Sequence, residues 1–158
     1  AMLYSMKHEN QPRRLATSKI QITKSLDETL KLGEKLAQDF KYHIIGLNGE
    51  LGSGKTAITK GVGNYFGIKN ITSPTFVVMK VYKTLKNNSK IKNIVHIDCY
   101  RLETYDALLD IGLMDYISDD KNLIIIEWAD KISDYLPKHT IYVNFKLGEN
   151  ENERIIEY

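Results

Sequence analysis

Apolar residues recur along the chain with two different periods, and the changes between them mark its elements. Lys19-Ile20-Gln21-Ile22-Thr23 alternates as a strand does. Ser25-Leu26-Asp27-Glu28 then forms a capping box, in which the Ser oxygen accepts from the amide three residues on and the Glu reaches back to the cap amide. Leu26, Leu30, Gly33, Leu36, Ala37 and Phe40 follow at helical spacing and predict a helix over about 26–40. His43-Ile44-Ile45-Gly46-Leu47-Asn48 is a short, largely apolar strand. From Lys55 onward, Ile58, Val62, Tyr65 and Phe66 are again helical, and Gly67 supplies the stop. Residues 75–82 read as a Val-containing strand, 83–92 as a polar, hairpin-like loop, and 94–98 as the next strand. Residues 104–117 hold one or two short helices interrupted at Gly112. The run Leu123-Ile124-Ile125-Ile126-Glu127 is the most apolar strand; 140–145 alternate, and 154–158 form a last edge strand.

The segment between the second strand and second helix is Gly49-Glu50-Leu51-Gly52-Ser53-Gly54-Lys55-Thr56. This is the G-x-x-x-x-G-K-[ST] pattern in its required setting, strand before and helix after. Glycines let backbone amides converge and approach a phosphate closely, and the helix N-terminus adds partial positive charge at the same point. Lys55 can reach the β- and γ-phosphates, and the Thr56 hydroxyl can ligate Mg²⁺. The expected nucleotide contacts are Glu50, Leu51, Gly52, Ser53, Gly54, Lys55, Thr56 and Ala57. A glycine-rich turn with an exposed lysine is the bland alternative, and the position of Lys-Thr argues against it.

Apolar strands separated by helical segments predict a sheet buried on both faces. The first strand, the strand over 75–82 and the C-terminal pair alternate instead, which places them at antiparallel edges. The predicted fold is therefore α/β, a three-layer fold of P-loop NTPase type with a central mixed, mainly parallel sheet. Residues 1–17 are polar and carry Lys7, Arg13 and Arg14; they read as a flexible arm before a single domain over 18–158.

Composition narrows the partners little. Of 158 residues 42% are hydrophobic and 27% charged, ordinary for a globular protein, and a net charge of +2 points to neither nucleic acid nor membrane. Cys99 is the sole cysteine, so no internal disulfide forms. With no run of about 20 apolar residues and no apolar signal region, a cytoplasmic protein is expected.

Two acids end strands that can neighbour the loop: Asp98 after Ile94–Ile97, and Glu127 after Leu123–Ile126. The carboxyl ends of parallel strands form the ligand crevice in such sheets. One acid can hold a metal while the other orients the attacking water. For either taken alone, an acid that merely begins a solvated loop accounts for it as readily. Ser73-Pro74-Thr75-Phe76 lies where P-loop enzymes can sense a γ-phosphate through a hydroxyl, although the sequence by itself favours an ordinary proline turn. His96 reads as a packed core histidine and Trp128 as core; Tyr100-Arg101 either packs at the sheet end or faces phosphate.

Taken in order, the glycine-rich loop, Ser73-Pro74-Thr75-Phe76, His96-Ile97-Asp98-Cys99-Tyr100-Arg101-Leu102 and Ile126-Glu127-Trp128 resemble the TsaE (YjeE) family over about residues 20–145. The resemblance implies a small ATPase that binds ATP and Mg²⁺. Such proteins serve formation of threonylcarbamoyladenosine at position 37 of tRNAs, working with TsaD and TsaB and meeting tRNA only through that complex. It implies Lys55 on phosphate, Thr56 and Glu127 on Mg²⁺, Asp98 in hydrolysis, the segment around Ser25 near the nucleotide, and Thr75 within a switch-like loop. Cys99 stands where leucine is usual and Ala129 where proline is common. A small-molecule kinase is the competing reading, but after the loop only Arg101 and Arg154 could close over a transferred phosphate. No Asn-Lys-x-Asp element supports a GTPase.

Overall fold

The computed structural model describes residues 18–40, 43–74 and 78–158. The predicted arm over 1–17 and the switch-like position expected of Thr75 lie outside the described residues. The chain runs β1 (Ile20–Thr23), α1 (Leu26–Asp39), β2 (Ile44–Asn48), α2 (Lys55–Tyr65), β3 (Met79–Lys83), β4 (Asn93–Asp98), α3 (Asp106–Asp110), α4 (Leu113–Ser118), β5 (Asn122–Glu127), a 3₁₀ segment (Ala129–Tyr135), β6 (Ile141–Leu147) and β7 (Arg154–Glu157).

The seven strands form one sheet in the order β1-β7-β6-β2-β5-β4-β3. β6, β2, β5 and β4 are mutually parallel, whereas β3, β7 and β1 pair antiparallel at the two sides. The mixed sheet is as predicted, with one correction. The C-terminal pair does not form an edge: β6 lies inside the sheet, parallel to β2, and β7, expected as a last edge strand, lies between β1 and β6 and runs antiparallel to both. Its alternation arises because Val143 and Phe145 enter the core while Asn144 and Lys146 stay exposed on the other face. An interior strand covered on one face alternates just as an edge strand does.

The strand period of two divides the core. Leu123 and Ile125 join Ile94, Leu47 and the apolar faces of α1 and α2, while Ile124 and Ile126 join Val95, Ile97, Leu108, Leu113 and the 3₁₀ segment. Helices thus cover both faces, giving three layers. The capping box forms at Ser25, whose Oγ accepts from the Glu28 amide at 3.1 Å. The Glu28 carboxylate takes the Lys24 amide at 2.7 Å, one residue earlier than the cap amide expected. α2 ends as Gly67 predicts: φ is +82°, with Gly67 N donating to Asn64 O and Ile68 N to Gly63 O. That is the paired bonding of a Schellman stop.

α1 and α2 cross at two glycines. A Cβ on Gly61 would lie 2.1 Å from the Leu30 carbonyl oxygen and 3.0 Å from Gly33 Cα. Because backbone cannot yield as a flexible side chain does, Gly61→Ala is expected to destabilise the fold by about 1–3 kcal/mol through overpacking, despite alanine's better helix propensity. Chemical denaturation would show a lowered midpoint; an unchanged or raised midpoint would contradict the close crossing.

Candidate active site

Sequence and topology bring the chemistry to one end of the parallel strands. β2 stops at Asn48, and the loop over 49–54 turns the chain into α2. Gly54, the residue before the helix, has φ +108°, a conformation that L side chains resist. The Ser53 amide donates to the Glu50 carbonyl at 3.1 Å and tightens the loop. β5 is the neighbour of β2 and β4 the next strand, so Glu127 lies opposite Leu47 in register and beside Asp98. In β4 and β5 the positions facing α2 are Ile94, His96, Asp98 and Leu123, Ile125, Glu127, since alternate residues share a face. Both acids therefore face the helix that begins with Lys55 and Thr56.

The resulting cavity of about 400 Å³ is lined by Leu51, Gly52, Gly54, Lys55, Thr56 and Ala57 from the loop and helix start, and by Asp98 and Glu127. Leu26, Thr29, Ser73, Trp128, Asn152 and Arg154 complete it. Lys55 Nζ donates to the Gly49 carbonyl at 2.5 Å, the Glu50 carbonyl at 2.8 Å and Ser53 Oγ at 3.5 Å. It also stands 4.3 Å from the centre of the Trp128 ring. Burial pulls the Lys55 ammonium below its ordinary pKa, against the opposing charges of Glu127 and Asp98.

Thr56 Oγ1 donates to Glu127 Oε1 at 2.9 Å and lies 3.1 Å from Ser73 Oγ. A hydroxyl and a carboxylate side by side make a hard-oxygen pair suited to Mg²⁺. Asp98 Oδ1 accepts from the Tyr100 amide at 2.9 Å. Burial nevertheless raises the Asp98 pKa above the ordinary carboxylate value; the Tyr100 amide opposes the rise and the charge of Glu127 adds to it. A carboxylate shifted upward is a better proton acceptor than a free one.

The structure gathers most of the residues singled out from the sequence. Ser25 is spent on capping, and its neighbours Leu26 and Thr29 line the cavity in its place. Glu50 meets Lys55 through its carbonyl, and Ser53 is buried beneath the loop. Arg101 is exposed and does not line the cavity.

Trp128, Arg154 and His96 also belong to the site, in ways that their own segments of sequence do not indicate. Trp128 is half-buried, packing partly on the core as expected but also lining the cavity. It adopts φ 58°, ψ 41°, so the strand has ended and turned by this residue. A left-handed backbone costs a non-glycine residue about 1–2 kcal/mol, and such strain clusters at functional sites. The Trp128 amide donates to Leu47 O at 2.9 Å, and Asn48 Oδ1 accepts from the Asp130 amide at 2.9 Å; both bonds hold the turn. Arg154, first residue of β7, donates from Nε to the Gly52 carbonyl at 2.9 Å and braces the loop. Only the β6–β7 pairing brings it there, across 102 positions of sequence, so no local pattern announces it. His96, read as packing, bonds Glu127.

A three-layer sheet with this loop at the strand ends defines a protein of P-loop NTPase fold type. A family model described as threonylcarbamoyl adenosine biosynthesis protein TsaE matches residues 23–156. The chain belongs to the TsaE family. A Rickettsia prowazekii protein named tRNA threonylcarbamoyladenosine biosynthesis protein TsaE is 37% identical over 134 residues, 83% of this chain and 88% of that one. The Bacillus subtilis protein of the same name is 36% identical over 112 residues, 70% of this chain and 66% of that one. Among solved structures, Bacillus subtilis YdiB matches with a TM-score of 0.70 at 27% identity, over 91% of this chain and 86% of that one.

Proposed function

We propose that this chain is a Mg²⁺-dependent ATPase required for formation of threonylcarbamoyladenosine at position 37 of tRNAs, and that it acts in the cytoplasm with the TsaB–TsaD pair. The observation that carries the reading is the convergence of Lys55, Thr56, Asp98 and Glu127 on one cavity between the glycine-rich loop and the strand ends. The α2 N-terminus and Lys55 supply positive charge for the phosphates. Thr56 Oγ1 and Glu127 Oε1 would hold Mg²⁺, which neutralises charge on the transferring phosphoryl group. Among the described residues no three His, Cys, Asp or Glu side chains gather as a metal cage. Mg²⁺ rarely uses one, taking instead one or two carboxylates and substrate phosphates. Asp98, with its raised affinity for a proton, orients the attacking water and accepts its hydrogen.

With one phosphate loop and no acceptor site evident among the described residues, the chain has most to gain from hydrolysis by changing its own shape. A ligand shifts such an equilibrium only by contacting its two states differently, and the γ-phosphate can do so through Ser73 or Thr75. The chain is expected to bind TsaB–TsaD at least about five-fold more tightly with a non-hydrolysable ATP analogue than with ADP. Equal affinities would remove the switch and leave the ATP site standing; no binding in either state would remove the partnership.

Trp128 gives the site an optical report. Its ring lies 4.3 Å from the Lys55 ammonium and 5.1 Å from the Tyr100 ring. Drawing Lys55 toward a phosphate changes the charge against the indole. Mg·ATP is expected to alter the fluorescence of this only tryptophan; a flat titration under conditions where calorimetry registers binding would contradict the contact.

A further inference from the structure

His96 is fully buried in β4 at a position where the strand pattern calls for an apolar residue. It lies on the face of Ile94 and Asp98, packed below the cavity. Its Nε2 is 2.9 Å from Glu127 Oε2, while its Nδ1 is buried with no hydrogen-bond partner among the described residues. An unpaired polar atom in a core is destabilising, so packing alone does not explain the residue: leucine would fill the space without that cost. Among the described residues, the one hydrogen bond of the His96 side chain goes to the carboxylate whose other oxygen meets Thr56.

We infer that His96 is a positioning residue for Glu127. Its Nε2–H donates to Oε2 and fixes the rotation of the carboxylate, so that Oε1 stays beside the Thr56 hydroxyl at the proposed metal position. A carboxylate oxygen can only accept, so the bond to Glu127 requires a hydrogen on Nε2. Partners of this kind, one bond removed from a metal, typically alter metal affinity by about 10- to 100-fold when lost. The inference rests on reading Glu127 as the metal-side acid, and its test separates the two.

Calorimetry of ATP binding with and without Mg²⁺ measures how far the metal tightens nucleotide binding. In His96→Leu that enhancement is expected to fall about ten-fold or more. His96→Gln can place an amide hydrogen near the Nε2 position and is expected to restore most of it. His96→Asn reaches only the Nδ1 position and should not. Circular dichroism confirms folding of each variant, and the Gln–Asn comparison decides if His96→Leu fails to fold. Independently, ring-nitrogen NMR of the wild-type protein without nucleotide or metal should show the hydrogen on Nε2. Full Mg²⁺ enhancement in His96→Leu, equal behaviour of the Gln and Asn variants, or a hydrogen on Nδ1 alone would each overturn the positioning role while sparing the ATPase reading. A wild-type protein whose ATP binding ignores Mg²⁺ would overturn both.

Discussion

Lys55→Ala is expected to lower ATP affinity by about 10- to 100-fold, since a charge-assisted hydrogen bond contributes about 1.5–3 kcal/mol and each 1.4 kcal/mol is a factor of ten. The lysine is the only cationic side chain in the loop itself, and its present bonds to the Gly49 and Glu50 carbonyls hold it at the cavity wall. The backbone amides and the dipole of α2 remain in the variant, so binding weakens without vanishing. Arg154 bonds the Gly52 carbonyl and stays in place, but its fixed fork cannot follow a phosphate as a lysine does. Calorimetry with Mg·ATP measures the difference directly. Unchanged affinity would mean that the phosphates do not lie at this loop.

The two acids should separate binding from turnover. Asp98→Asn keeps the shape and the Tyr100 amide bond but removes a proton acceptor, a group usually worth about 10²–10⁴ in rate. Hydrolysis is expected to fall by about 100-fold or more with Mg·ATP affinity nearly intact, the pattern of an interaction made in the transition state. Glu127→Gln should do the opposite first. It removes a charge beside Thr56 Oγ1 and disturbs the His96 bond, so Mg²⁺ should lose its effect on nucleotide binding. Single-turnover assays alongside binding titrations distinguish these results. An exchange of the two phenotypes would exchange the roles; wild-type behaviour in both would leave the acids as strand ends without chemistry.

How much of this the sequence carries depends on whether the signal is local. The helix cap at Ser25, the glycine stop at Gly67 and the break at Gly112 are each decided by a few consecutive residues, and each is found in place. The loop and the two acids were legible for the same reason, because motif and strand end adjoin. The position of β6 was not, since its alternation records one covered face and says nothing of where in the sheet the strand lies. The 3₁₀ segment after Trp128 escaped notice because its seven residues include a non-helical break at Ile132 and show no sustained period. Arg154, Asn152 and Thr29 enter the site only through the pairing of β1, β7 and β6. His96 was visible as an odd polar residue in an apolar strand, but its partner lies 31 positions away on β5, and only the register of the two strands reveals the bond.

On the proposed function, ATP and Mg²⁺ occupy the cavity between the loop and the paired acids. Titrating the wild-type chain with ATP in a calorimeter, with Mg²⁺ and again with a chelator, tests it most directly. Saturable binding at one site per chain, markedly tighter with Mg²⁺, is expected. Absence of ATP binding in the presence of Mg²⁺ would contradict it.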